Sequence, residues 1–207
     1  MVNTLVDRVV THGIFALDGG QWDVDNNVWL VGDDREVLVI DAAHDAAAIA
    51  AGIGDRRVTA IVCTHGHNDH IDAAVALRDR LGGDTPVLIH PADRMLWDAE
   101  HPDTAPDGDL TDGQLLEVAG TRLQVIHTPG HTPGGVCLYG PDLGVLFTGD
   151  TLFEGGPGAT GRSYSDKDTL LASIRVRLLA LPGNTVVHTG HGPDTTIAAE
   201  TNGIRTA

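Results

Sequence analysis

The chain is short of cysteine, of basic residues and of long apolar runs, and each shortage removes a class of protein. Only two cysteines, Cys63 and Cys137, occur in 207 residues. Both lie in apolar runs and neither belongs to a CxxC pair. Buried, reduced thiols are expected, with no disulfide framework, which reads as a cytoplasmic protein. Lys and Arg number 13 against 29 Asp and Glu, a net charge of −16 with histidine neutral. Such a surface repels phosphate backbones and anionic membranes, so neither nucleic acid nor membrane is expected as a partner. No apolar run approaches the ~20 residues of a membrane span. Residues 1–10 lack the basic flank and apolar stretch of a secretory signal. Repeats, low-complexity tracts and long linkers are absent too, and the length suits one domain spanning 1–207.

Histidine and aspartate are plentiful instead, at 11 and 24 residues. Residues 65–70 read His-Gly-His-Asn-Asp-His, four potential metal ligands within six positions. They follow an apolar run, Ala60-Ile61-Val62-Cys63, that reads as a buried strand. Residues 71–81 read as a helix. The cluster therefore falls where strand becomes helix, the edge at which α/β proteins bind ligands. Residues two apart in extended chain share a side, so His65 and His67 can face one metal. Asp69 and His70, beyond the turn, can face a second. Cys63 lies close, but His65 and His67 already fill that side. Imidazole and carboxylate suit zinc and also iron or manganese.

Alternation and short apolar runs predict strands at 8–17, 27–32, 36–41, 58–63, 87–90, 114–118, 121–127, 135–140, 143–148 and 185–189. Turn residues predict hairpins joining 27–32 to 36–41 and 135–140 to 143–148. Helical spacing fits 44–52, 71–81, 91–99, 167–181 and 195–201. Grouped strands with helices between the groups predict two mixed sheets packed face to face with helices outside. The stretch 100–113 reads as a loop between two halves.

Three later strand ends carry acceptor groups beside glycine, which lets the backbone bend sharply. They contain Pro129-Gly130-His131-Thr132-Pro133-Gly134, Phe147-Thr148-Gly149-Asp150-Thr151-Leu152-Phe153 and Gly190-His191-Gly192. With Thr64-His65-Gly66-His67-Asn68-Asp69-His70, these motifs resemble the metallo-β-lactamase superfamily, most closely its glyoxalase II-like (hydroxyacylglutathione hydrolase-like) members. The resemblance covers nearly the whole chain. It implies a four-layer αββα sandwich with a dinuclear metal site at one edge. His65, His67 and His131 would hold one metal; Asp69, His70 and His191 the other; Asp150 would bridge both. The implied cofactor is two divalent ions, zinc first, with iron or manganese compatible. Two such ions with two carboxylates and a bridging hydroxide leave a charge of about +1, suited to a developing oxyanion. The expected reaction is attack of that hydroxide on an ester-type carbonyl, with Asp69 orienting it. A thioester of a small thiol, its substrate anionic, fits best because thiolate leaves well.

The alternatives separate on residues. A persulfide dioxygenase-like enzyme would use one iron on His65, His131 and Asp150, but the glycine-rich segment 155–163 departs from the pattern of that branch. β-Lactamases of the superfamily usually lack the bridging Asp150. A lactonase, or a metal-binding module without catalysis, completes the set. Classical glyoxalase II has an additional C-terminal helical domain; here 16 residues follow His191, so the thiol carrier is not transferable. Arg162 and Tyr164, soon after Asp150, are candidate substrate contacts. So is Trp22, in a segment 18–26 that reads either as an opposite wall or as a hairpin tip. Asp41, His127 and His188 are candidates to support ligand imidazoles; Asp41 reads equally as the residue before a helix. His12, His44, His90 and His101 read as turn or surface residues. The oligomeric state stays open between monomer and homodimer.

Overall fold

The computed structural model describes residues 5–207; residues 1–4, part of the N-terminal stretch read above, lie outside them. Two six-stranded mixed sheets form, each from one half of the chain. The first holds, in spatial order, β1 (Leu5–Leu17), β2 (Gly20–Gly32), β3 (Glu36–Ile40), β4 (Arg57–Val62), β5 (Val87–Ile89) and β6 (Gly108–Asp109). The second half supplies β7 (Leu115–Val118), β8 (Thr121–His127), β9 (Val136–Gly140) and β10 (Val145–Gly149). It continues through a small hairpin of β11 (Leu152–Phe153) and β12 (Gly156–Pro157) to β13 (Val186–Thr189) and β14 (Thr195–Thr196). The second sheet runs β14-β13-β10-β9-β8-β7.

Period-two alternation sorts the side chains into layers. In β3, Leu38 and Ile40 face the other sheet while Val37 and Val39 face helices. In β10, Val145 and Phe147 face the first sheet and Leu146 the opposite helices. The helices are α1 (Ala46–Ile53), α2 (Asn68–Ile71), α3 (Ala74–Arg80), α4 (Arg94–Glu100), α5 (Lys167–Ser173) and α6 (Ile197–Thr206). Ile49, Ile53, Leu77 and Trp97 cover the first sheet; Leu170, Leu171, Ile174 and Ile204 cover the second. The αββα order matches the expected one. No helix among the described residues is long and apolar enough to cross a membrane.

Several elements differ from expectation. The segment 18–26 is a hairpin tip, with a turn far shorter than nine residues: β1 and β2 pair from end to end across a two-residue turn, Asp18-Gly19, with φ of 52° and 77°. That left-handed pair suits a tight hairpin. Both faces of the hairpin's far end meet solvent, so Gln21-Trp22-Asp23-Val24-Asp25 carries too little apolar alternation to signal a strand. The helix expected at 71–81 begins at Asn68 and breaks between α2 and α3, placing Asp69 and His70 on a helical turn. The helix expected at 167–181 widens after Ser173 into a π-type turn, Ile174–Leu178. The loop at 100–113 contains the short strand β6.

Candidate metal centre

Parallel pairing of β3 with β4, and of β10 with β13, sends four chain segments out at one edge of the sandwich. The β4–α2 turn carries His65 and His67, and α2 carries Asp69 and His70. Asp150 follows β10, and His191 follows β13. His131 sits on the turn between β8 and β9. Three groups there bring one ligand atom per residue within 4.8 Å: His65/His67/His131, His65/His70/Asp150 and Asp69/His70/His191.

The hydrogen-bond partners assign the imidazole tautomers. The Thr64 hydroxyl donates to Asp41 Oδ2 (2.7 Å) and so accepts from His65 Nδ1 (3.1 Å). His131 Nδ1 donates to the Ala159 carbonyl (2.8 Å), His191 Nδ1 to the Asp25 carbonyl (2.8 Å) and His70 Nδ1 to Asp41 Oδ2 (2.9 Å). Each neutral ring therefore presents a bare Nε2 lone pair inward. Those lone pairs meet one another. His65 Nε2 and His131 Nε2 lie 3.1 and 3.0 Å from His67 Nδ1. His70 Nε2 and His191 Nε2 are 3.3 Å apart. Carboxylate oxygens crowd the same points: Asp69 Oδ2 is 3.3 Å from His191 Nε2, and Asp150 Oδ1 is 3.3 Å from His70 Nε2. Asp150 Oδ2 lies 3.5 Å from His131 Nε2 and 3.6 Å from His191 Nε2, so one carboxylate touches both groups. Asp69 Oδ1, Asp150 Oδ1 and His67 Nε2 are buried without a hydrogen-bond partner among the described residues. Electron pairs gathered this closely are repulsive unless cations sit among them, whether protons on His70 and His191 or divalent metals, which this donor set fits.

Titration behaviour splits the groups. Burial, then neighbouring imidazoles, hold His65 well below the ordinary range; burial and His131 take His67 to about 3. Both stay neutral and ready to bind. Burial lowers His191 too, but Asp150 and Asp69 outweigh it and raise the ring to about 10. His70 rises likewise, through Asp150, Asp69 and Asp41 against its burial. A proton must leave each of these two rings before a metal can bind. Below about pH 10 protons therefore compete at His191. Lowering the pH from 9 to 6 should weaken metal binding at Asp69/His70/His191 steeply, and much less at His65/His67/His131. Competition titrations with a chromogenic chelator at each pH measure this.

The metallo-beta-lactamase superfamily model matches residues 22–191. The chain belongs to the metallo-beta-lactamase superfamily. It is 33% identical over 186 residues to the hydroxyacylglutathione hydrolase GloC of Haemophilus influenzae, covering 81% of this chain and 85% of that one. TTHA1623 in a di-iron-bound form superposes with a TM-score of 0.74 at 34% identity, covering 86% of this chain and 93% of its own. The BLEG-1 B3 metallo-beta-lactamase gives 0.78 at 32% identity, covering 93% and 97%.

Within this superfamily fold, Asp93 is the residue that sequence reasoning missed. It is fully buried and accepts from Gly66 N (2.8 Å), Thr132 Oγ1 (2.7 Å) and Gly134 N (2.6 Å). It thereby ties the His65–His67 turn to the His131 turn. Burial raises its carboxyl against those three donors. Its only signal in sequence is a common Pro-Ala-Asp helix start. Replacing Asp93 by Ala strands three buried donors at about 1–3 kcal/mol each. We expect melting to fall by about 10 °C or more, at about 2–4 °C per kcal/mol, measured by calorimetry on metal-free protein. Asn26, equally unforeseen, is buried and donates to the Asp69 carbonyl (2.7 Å).

The other candidates are dispersed. Asp41 supports His70 and holds the Thr64 amide (2.7 Å). His127 donates to the Pro133 carbonyl and stacks on His90; His188 pairs with Asp194 and packs on Trp29 and Phe147. Among the described residues neither hydrogen-bonds a ligand side chain. Beside His67 and His131 lies a narrow cleft lined by Phe15, Leu17, Ala159, Thr160 and Arg162. The Arg162 guanidinium stacks 4.0 Å above Trp22 and 5.5 Å from Phe15, with no ion-pair partner among the described residues. Ser163 fastens this loop to the hairpin turn through Asp18 (2.6 and 3.0 Å). Tyr164 is 52% exposed and lines none of the cleft.

Proposed function

We propose that this chain is a dinuclear metal-dependent hydrolase that cleaves the thioester of a small, anionic substrate, in the manner of glyoxalase II. The observation that carries the reading is Asp150, one carboxylate within 3.6 Å of imidazoles in both ligand groups. On this reading His65, His67 and His131 would hold one cation and Asp69, His70 and His191 the other, with Asp150 shared between the two groups. Two divalent cations, zinc first, would supply an ionised water near neutral pH and a Lewis acid for a carbonyl oxygen. The protein supplies the rest. Asp69 Oδ1, the oxygen without a partner, accepts a hydrogen bond from the attacking water and aims it. Phe15 and Leu17 exclude bulk water from the cleft beside His67. Arg162, preset by its stacking on Trp22, receives the substrate's anionic end. The similarity to a hydroxyacylglutathione hydrolase supports a thioester.

The test is a panel of glutathione and coenzyme A thioesters followed by release of free thiol, with oxygen uptake on a persulfide run in parallel. Thiol release with no oxygen uptake is expected; oxygen uptake by an enzyme holding one iron would replace this reading. Arg162→Gln should raise KM about tenfold for an anionic thioester, about 1.4 kcal/mol. Its kcat should move less than about threefold. Steady-state kinetics with a neutral thioester as control checks the prediction.

A further inference from the structure

Beneath the metal centre a chain of polar groups leads away from Asp69 to a residue that sequence reasoning set aside as a turn histidine. His44 sits in the β3–α1 connection with its side chain only 4% exposed. Its backbone φ is +62°, a left-handed conformation uncommon for a histidine, and Asp41 three residues earlier has +57°. Asp72, at the end of α2, holds His44 twice: Oδ1 accepts from the backbone N–H (2.6 Å) and Oδ2 from Nδ1 (2.9 Å). The other ring nitrogen, Nε2, is 2.9 Å from Asn26 Oδ1. Asn26 is fully buried. Its amide nitrogen faces the Asp69 carbonyl oxygen at 2.7 Å, an atom that can only accept, which fixes which way the amide points. Oδ1 therefore faces His44 as an acceptor, and His44 donates from both ring nitrogens. The same amide nitrogen reaches Asp69 Oδ2 at 3.3 Å and lies 3.4 Å from His70 Nε2.

The connection touches one half of the centre. The hydrogen-bonding contacts of Asn26 with metal-ligand side chains fall on Asp69 and His70, with none to His65, His67 or His131 among the described residues. Room for the His44 ring comes from Gly13 on β1. A Cβ there would stand 2.2 Å from His44 Nδ1 and 2.4 Å from its Cγ, although nothing about the Gly13 backbone excludes alanine.

Resting on the dinuclear reading above, we infer that Asp72 and His44 are positioning residues. They hold the Asn26 amide so that Asp69 keeps Oδ2 toward His191 and His70 while Oδ1 stays free. The relay tunes the Asp69/His70/His191 site and leaves the His65/His67/His131 site alone.

The experiment titrates cobalt(II) into metal-free protein and follows the two binding steps by visible absorption and by chelator competition. Wild type should take up two equivalents. His44→Ala should weaken one step by about 10–100-fold, the usual cost of removing a residue that orients a ligand. The other step should stay within about threefold. Asn26→Ala should do the same, and the double variant should be no worse than Asn26→Ala, because the two act in series. Gly13→Ala, which removes no hydrogen-bonding group and only displaces the ring, should reproduce the defect. His44→Gln, able to donate to Asn26, should recover part of it. Melting of each metal-free variant is measured alongside. Two unchanged steps in His44→Ala would overturn the relay, and so would equal weakening of both steps. A wild type that binds one equivalent would bring down the dinuclear reading and the relay with it.

Discussion

Asp150→Ala will bind at least one metal ion fewer than wild type and will lose more than about 10³-fold in kcat/KM, about 4 kcal/mol of transition-state stabilisation. The reason is geometric. Asp150 Oδ1 lies 3.3 Å from His70 Nε2, and Oδ2 lies 3.5 Å from His131 Nε2 and 3.6 Å from His191 Nε2. Removing it takes a negative charge from the point where both ligand groups meet. Asp69, the other carboxylate within the cluster, touches one group only. Asp150 is itself held ionised: burial raises its carboxyl, but His70 and His191 outweigh this and take it well below the usual carboxylate range. Asp150→Asn keeps the shape and drops the charge, so it should lose nearly as much. Elemental analysis with single-turnover kinetics reads both quantities. A variant that kept both metals and full rate would remove Asp150 from the centre.

Gly190→Ala will cost about 10²-fold in kcat while leaving the fold intact, because a misplacement of about 1 Å in a reacting group is worth that much. A Cβ at Gly190 would stand 2.5 Å from Asp150 Oδ1, 2.8 Å from His70 Cε1 and 3.1 Å from the Gly149 carbonyl carbon. The backbone has nowhere to retreat. Gly190 N donates to Gly149 O at 2.9 Å, and Gly190 O accepts from Asn27 N at 2.8 Å. Something at the centre must move, and the nearest movable groups are a carboxylate and an imidazole assigned to the metals. Overpacking of this kind costs about 1–3 kcal/mol in stability. Comparing metal affinity and kcat with the melting temperature separates the local effect from unfolding.

Much of the architecture was legible because the sheets are buried on both faces or alternate cleanly. Val37-Leu38-Val39-Ile40 and Val145-Leu146-Phe147 announce their strands, and glycine beside His131, Asp150 and His191 announces the turns. The far end of the β1–β2 hairpin was not legible, since Gln21 to Asp25 pair outside the sandwich and bury almost nothing. Nor was the early start of α2, whose first residues, Asn68-Asp69-His70, are polar and carry no apolar stripe. At the site, the His-Asp clusters stood out because their residue types are rare at such density. Asp93, Asn26 and His44 did not, because each meets its partners 18 to 43 positions away in the chain, and single polar residues carry no periodicity. Arg162 and Trp22, both singled out in the sequence, meet each other, while Tyr164 beside them lies 52% exposed.

Seven side chains from four stretches of chain are proposed to form one two-metal centre. Metal content after equilibration of the metal-free protein with excess zinc, then removal of the unbound ion, tests it most directly. Two equivalents per chain are expected for wild type and fewer for Asp150→Ala. One equivalent in wild type, unchanged by Asp150→Ala, would contradict it.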